Sequence, residues 1–187
     1  MQIIDLKSDN EEAIQQCAAL VIEGLSGWPD LPSALDEVRE SLEPGRISRV
    51  AVEERGLVLG WVGARPQYDA MTWELHPLVV KPDWQRKGIG RALVIDLEAR
   101  VEEHGGITLY LGTDDLDNRT TISGVDLYPN VLENLGQIRN LRAHAFEFYQ
   151  KLGFVIVGVI PDANGLGKPD ILMAKRLGKW SPSESRV

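Results

Sequence analysis

At 187 residues, with 43% hydrophobic and 26% charged residues, the chain can bury a core of its own and is short for two domains. Its 28 acidic residues against 20 basic ones give a net charge of −8, which argues against a nucleic-acid or anionic-membrane surface and favours cationic partners. Cys17 is the only cysteine, so an intramolecular disulfide is excluded.

In chain order, a short strand is expected at Ile3 to Leu6, then a helix to about Gly24, with Ser8 and Glu11 spaced as a capping box. Cys17 sits there at helical spacing with Ile14, Ala18, Val21, Ile22 and Leu25, and reads as a small core residue. Ser33 can cap a second helix that carries Leu35, Val38 and Leu42 on one face and stops at Pro44-Gly45. Ile47–Val52, Leu57–Ala64 and Met71–Val80 read as strands of an antiparallel meander. Asp5 near the N-terminus and the lack of a long apolar run speak against a signal peptide or a membrane helix, so a cytoplasmic protein is expected.

From Gly88 the period changes. Ile89, Leu93, Leu97 and Val101 recur every four residues up to Gly105-Gly106, which predicts a helix, and Ile107–Leu111 follows as a strand. Strand, helix and strand in this order form a βαβ unit with parallel strands. Beyond an irregular stretch, 113–142, with a short helix near Val131–Ile138, a helix is expected from Ala143 to Leu152. Strands Phe154–Ile160 and Ile171–Lys175 and a disordered tail from Ser181 complete the chain. The fold class is α/β, a mixed sheet flanked by helices.

Gln85-Arg86-Lys87-Gly88-Ile89-Gly90-Arg91 lies between an apolar strand and an amphipathic helix, where a helix start offers unpaired amides and the positive end of its dipole. Two glycines allow close approach of a pyrophosphate, and Arg86, Lys87 and Arg91 add positive charge. A Walker loop would need Lys-Ser or Lys-Thr after its last glycine, where Arg91-Ala92 stands, and a dinucleotide fingerprint would need a small residue at Leu93.

The preceding strand, Trp73-Glu74-Leu75-His76-Pro77-Leu78-Val79-Val80, would put Glu74, His76 and Leu78 on one face if its pleat were regular. Pro77 argues for a bulge, which would free the Leu78 amide as an oxyanion donor. Glu74 is the candidate base, directly or through water, with a substrate clamp as the other role. His76 is a catalytic candidate or a structural hydrogen-bonding residue.

Gln85-x-x-Gly88-x-Gly90 after Val79-Val80 resembles the acetyl-CoA motif of GNAT acetyltransferases. That resemblance implies a single acetyltransferase domain over residues 1–180 that uses acetyl-CoA and no metal. It further implies that the amides of Arg86 to Gly90 hold the pyrophosphate, while Val79 and Val80 pair with the pantetheine arm. Tyr149-Gln150-Lys151-Leu152-Gly153-Phe154 resembles the Tyr-x-Lys-x-Gly-Phe segment of the superfamily. It makes Tyr149 the candidate acid for the departing thiolate, with aromatic packing as the competing role. Many members carry an asparagine seven residues before that tyrosine, where this chain has Arg142, and Asn140 is out of register.

Within the superfamily the chain most resembles the aminoglycoside 6′-N-acetyltransferases, through Pro66-Gln67-Tyr68, Trp73 to Val80, Gly105 to Asp117 and Arg139 to Lys175. This implies a cationic aminoglycoside acetylated at its 6′-amine, with Asp114, Asp115 and Asp117 as acidic contacts unless they bond the local turn. Trp28 and Tyr68 would line the same pocket, and a homodimer is favoured. The alternatives are a GNAT enzyme for a polyamine or peptide terminus, and a non-catalytic CoA sensor. A hydrolase lacks support, because His76, His104 and His144 are dispersed and no Gly-x-Ser-x-Gly elbow occurs.

Overall fold

The computed structural model of the chain describes residues 1–25 and 27–179. The tail expected from Ser181 lies outside them. Two compact units are distinguished, one from Met1–Leu109 with the return of the chain at Leu177, the other Tyr110–Arg176.

The first unit is built on β1 (Gln2–Asp5), β2 (Ile47–Val52), β3 (Val58–Gln67) and β4 (Thr72–Val80), each antiparallel to the next, as the meander pattern predicts. Helix α1 (Glu11–Gly24) buries Ala13, Ile14, Cys17, Ala18, Leu20 and Val21. It shares a core with Val50, Trp61 and Val79 of the sheet, and with Ala34 and Val38 of α2 (Leu31–Glu40). Burial of these apolar faces against the sheet is what fixes both helices.

The caps differ from expectation. Asn10, not Ser8, begins α1 by accepting from the Ala13 amide, and Asp30, not Ser33, begins α2 by accepting from the Ser33 amide at 2.9 Å. In both cases a carboxylate or amide side chain reaches an unpaired helix-start amide from the residue that is itself still non-helical.

Helix α3 (Ile89–Glu103) buries Ile89, Leu93, Val94, Leu97 and Val101. A Cβ on Gly60 of β3 would lie 2.9 Å from the Val79 carbonyl and 3.0 Å from Leu93 Cδ1, so only glycine lets α3 seat this closely. Arg49 of β2 is buried and held by Asp96 of α3, with Nε to Oδ2 at 2.7 Å, and by Asp5 of β1. A buried guanidinium needs such paired acceptors to offset its lost hydration. The next strand, β5 (Thr108–Asp114), starts beside the start of β4, since the Ile107 and Thr108 amides both donate to the Met71 carbonyl. The two strands therefore set off parallel, as the strand–helix–strand pattern requires.

In the second unit β6 (Val155–Ile160) pairs antiparallel with β7 (Asp170–Arg176), and the strand order runs β5, β7, β6. Two short helices, α4 (Val131–Gly136) and α5 (Phe146–Gln150), lie between β5 and β6. Helix α5 is shorter than its pattern suggests because Ala143 takes a positive φ of 52° and His144 is tied to its surroundings by side-chain bonds.

Candidate active site

The register between β3 and β4 slips between Val62, opposite Leu78, and Ala64, opposite Leu75, so Gly63 alone faces His76 and Pro77. This is a bulge with the extra residue in β4. Gly63 is required there, because a Cβ would come within 2.5 Å of the His76 carbonyl oxygen.

The bulge changes which face each side chain takes. Trp73 packs on the α3 side against the edge of His104, with ring centroids 5.6 Å apart, so Glu74 and His76 project to the opposite side. Past the bulge the parity reverses. Val79 lies in the α1 core and Val80 turns toward Leu93 of α3. Leu78, two residues from Val80, shares that second side. The common face for Glu74, His76 and Leu78 is thus not formed, because Pro77 interrupts the pleat.

Around Glu74 and His76 the first unit gathers a polar cluster. Arg65, opposite Glu74 on β3, donates from Nε to Glu74 Oε2 at 2.7 Å. His76 Nε2 lies 3.4 Å from Glu37 Oε1 on α2, and the Trp28 ring is tilted over the imidazole at 6.0 Å between centroids. The contact with His76 holds the Glu37 carboxyl below its usual range against the opposing effect of burial, helped by the charges of His76, Arg65 and Arg46. Tyr68 stands apart from the cluster's ion pairs. It stands at the tip of the β3–β4 connection, 80% exposed, in a run of three positive-φ residues.

At the start of α3, Arg86 and Gly88 adopt positive φ of 58° and 86°, and Gly88 is the cap. Alternating such residues with ordinary ones turns successive amides toward one side, the arrangement of an anion nest. The first intrahelical bond runs from Ala92 to the Gly88 carbonyl, so the amides of Ile89, Gly90 and Arg91 have no acceptor within the helix. Gln85 donates from Nε2 to the Val80 carbonyl at 3.1 Å and closes the loop onto the end of β4. Lys87 lies over the Trp84 ring at 4.7 Å, and Arg86 and Arg91 are exposed.

In the second unit Asp115 is fully buried, with Oδ1 and Oδ2 each accepting a backbone amide, from Arg119 and Thr120, both at 2.8 Å. Each oxygen accepts a loop amide, so Asp115 shapes the loop. Asp114 accepts from Asn164 Nδ2 at 2.5 Å, and Asp117, exposed, pairs with Arg119 at 2.9 Å. Tyr149 is buried on α5 between the rings of Phe148 and Phe154, and burial pushes its phenol well above the usual tyrosine range. His144 accepts from the Phe146 amide at Nδ1 and bonds the Asp114 carbonyl through Nε2. Asn140 accepts from the Arg142 and His144 amides, so it organises the approach to α5.

The sequence matches the profile of the Acetyltransferase (GNAT) family over residues 11–123. The chain belongs to the GNAT acetyltransferase family. Among solved structures it is similar to an aminoglycoside 6′-N-acetyltransferase complexed with coenzyme A, 44% identical over 97% of this chain and 99% of that one, with a TM-score of 0.90. An aminoglycoside 6′-N-acetyltransferase from Enterococcus faecium is also 44% identical, over the same shares, with a TM-score of 0.88. An amino-acid acetyltransferase of Ectopseudomonas mendocina is 31% identical over 110 residues, 55% of this chain; the chain spans 26% of that relative's length.

GNAT enzymes use acetyl-CoA, and the loop from Gln85 to Arg91 fits it: the positive φ values turn the amides outward, and no atom lies within 4 Å of where a Gly88 Cβ would stand. Among the described residues no three His, Cys, Asp or Glu side chains gather into a metal site, and no helix is long and apolar enough to cross a membrane. Sequence reasoning missed Arg65 of the polar cluster, and it also missed Glu37. Its signal was weak, since Asp36, Arg39 and Glu40 beside it are charged as well.

Proposed function

We propose that this GNAT enzyme transfers the acetyl group of acetyl-CoA to the 6′-amine of aminoglycosides, and so confers resistance to them. The observation that carries this reading is the 44% identity, over nearly the whole of both chains, to an aminoglycoside 6′-N-acetyltransferase complexed with coenzyme A. The excess of acidic residues agrees with a polycationic acceptor.

Bound acetyl-CoA supplies an electrophilic thioester carbonyl. The amides from Arg86 to Gly90 would hold its pyrophosphate, with Gln85 bracing the loop and Arg86, Lys87 and Arg91 adding charge. The Val79 and Val80 backbones would pair with the pantetheine arm. The acceptor amine attacks the carbonyl carbon, a C–N bond forms, the C–S bond breaks, and the thiolate leaves with its electron pair. Glu74 binds the amine and draws off its proton, directly or through water, and the Leu78 amide stabilises the carbonyl oxygen. Tyr149 is assigned the acid by resemblance. Burial raises its pKa, which makes the phenol a weaker proton donor, so the assignment rests on the resemblance and not on this shift. Trp28, Tyr68, Asp114 and Asp117 are assigned acceptor contacts. A homodimer belongs to the same reading, supported by Val155, Val157 and Ile160, exposed by 60%, 58% and 48% on β6 at the end of the strand order.

The test is release of CoA thiol from acetyl-CoA with two aminoglycosides, one with a 6′-amine and its counterpart with a 6′-hydroxyl. Cys17 is buried and its thiol is pushed up to about 12, so a thiol reagent reads CoA and not the protein. Turnover with the amine alone is expected. Turnover with both would put the acetylated amine elsewhere on the drug, and turnover with neither would rule out aminoglycosides.

A further inference from the structure

Two groups of the polar cluster can take a proton from the acceptor amine, and their surroundings differ. Glu74 already faces a guanidinium, with Arg65 Nε 2.7 Å from Oε2. His76 faces a carboxylate instead, with Nε2 3.4 Å from Glu37 Oε1.

Glu37 is well placed to orient a ring. Its neighbours Ala34 and Val38 are fully buried and anchor α2, and its own side chain is only 19% exposed. The Trp28 ring over the imidazole restricts the other direction of motion. The tautomer of a histidine is set by the bond its other nitrogen makes, and a carboxylate at Nε2 selects the form protonated there.

We propose that Glu37 is a positioning residue that holds His76 with Nε2–H toward its carboxylate and leaves the Nδ1 lone pair to take the proton of the attacking amine. The N–H bond of the acceptor breaks, its electron pair stays on the acceptor nitrogen, and the proton forms a new bond at Nδ1. The imidazolium charge then lies against Glu37, with Arg65, Glu74 and Arg46 as the other charged groups of the cluster. The arrangement repeats the logic of a carboxylate-oriented histidine in hydrolases without a nucleophile on the protein. It rests on the acetyl-transfer reading above, to which it adds a second proton acceptor beside Glu74.

A double-mutant cycle tests it, with Glu37→Gln, His76→Gln and the pair, measuring kcat and both KM values by thiol release at pH 7. Glu37→Gln should lower kcat by about tenfold, within the coupling found for contacting residues, and leave the KM for acetyl-CoA unchanged. In the His76→Gln background it should change kcat by less than about twofold. An equal loss in both backgrounds, or an unchanged kcat in either single variant, overturns the proposal.

A second readout does not depend on turnover. The ring-nitrogen NMR signals of His76 should differ between the wild type and Glu37→Gln, while those of His104 and His144 stay in place. A His76 signal indifferent to the change overturns the contact itself. A wild type that releases no thiol with any amine refutes the acetyl-transfer reading, and the proposal falls with it; a working wild type with an uncoupled cycle refutes the proposal alone.

Discussion

Arg65 and Glu74 face each other across β3 and β4, with Nε 2.7 Å from Oε2, and the carboxylate is the more buried partner at 18% exposure against 38%. An acceptor ammonium that binds Glu74 must share it with this guanidinium. In the proposed reaction Glu74 would thus anchor the amine as well as accept its proton, and variants of it should separate the two roles.

Glu74→Gln should lower kcat by roughly 10²-fold at pH 7, the usual worth of a general base. The loss should shrink as pH rises and free amine becomes abundant. A pH series of kcat between neutral and alkaline conditions checks this, and an unchanged rate at pH 7 would take Glu74 out of proton transfer.

Gly90→Val places a branched side chain in the first turn of α3, where the free amides face the proposed pyrophosphate. Acetyl-CoA affinity should fall by about tenfold or more, corresponding to one or two lost charge-assisted bonds. Calorimetry on a variant with native circular dichroism gives the answer, and normal affinity would refute the cradle.

The acidic loop should split into two behaviours. Asp115→Asn turns one of two buried acceptors into a donor that faces a backbone amide, and should destabilise the protein by about 1–3 kcal/mol. Asp117→Asn, exposed and paired with a single exposed arginine, should leave stability within about 0.5 kcal/mol and raise the KM for the drug. Urea denaturation and steady-state kinetics of both variants would expose the reverse pattern if the assignment were wrong.

His144 gives a pH dependence of known sign. Burial lowers its pKa from 6.5, outweighing the Asp114 carbonyl bond and the charges of Asp115 and Asp114, while Arg119 adds to the lowering. The unfolded chain then binds a proton that the folded one resists, so the stabilising contribution is present above about pH 6.5 and is lost as pH falls below it. Denaturation midpoints should drop from pH 7 to pH 5, with a shallower slope in His144→Asn, which keeps an acceptor near the Phe146 amide.

Much of the fold was legible because periodicity survives any detail of packing. Leu93, Leu97 and Val101 had to share a helix face, and the strand pattern of 47–80 left little choice but a meander. The caps were not, since Ser8 and Asn10, like Asp30 and Ser33, offer acceptors within a turn of each other, and the choice depends on where the chain leaves the preceding segment. Within the site, the start of α3 was legible from its glycines. Asp115 could not be told from Asp114 and Asp117, because only the fold of 115–120 brings two amides onto it. Glu37 was hidden for a related reason: nothing local distinguishes a carboxylate that meets His76 from one that meets water.

The bulge at Pro77 makes β4 a two-sided part. Before it, Glu74 and His76 look toward α2; after it, Leu78 and Val80 look toward α3. The strand thus turns its side chains from one surface of the sheet to the other, with the changeover confined to two residues. Shortening β4 by one residue at this point would restore an even pleat and rotate every position beyond it by half a turn. The side chains of Val79 and Val80 would then exchange surfaces, and the backbone pairing proposed for the acetyl donor would shift with them, although neither residue had been replaced.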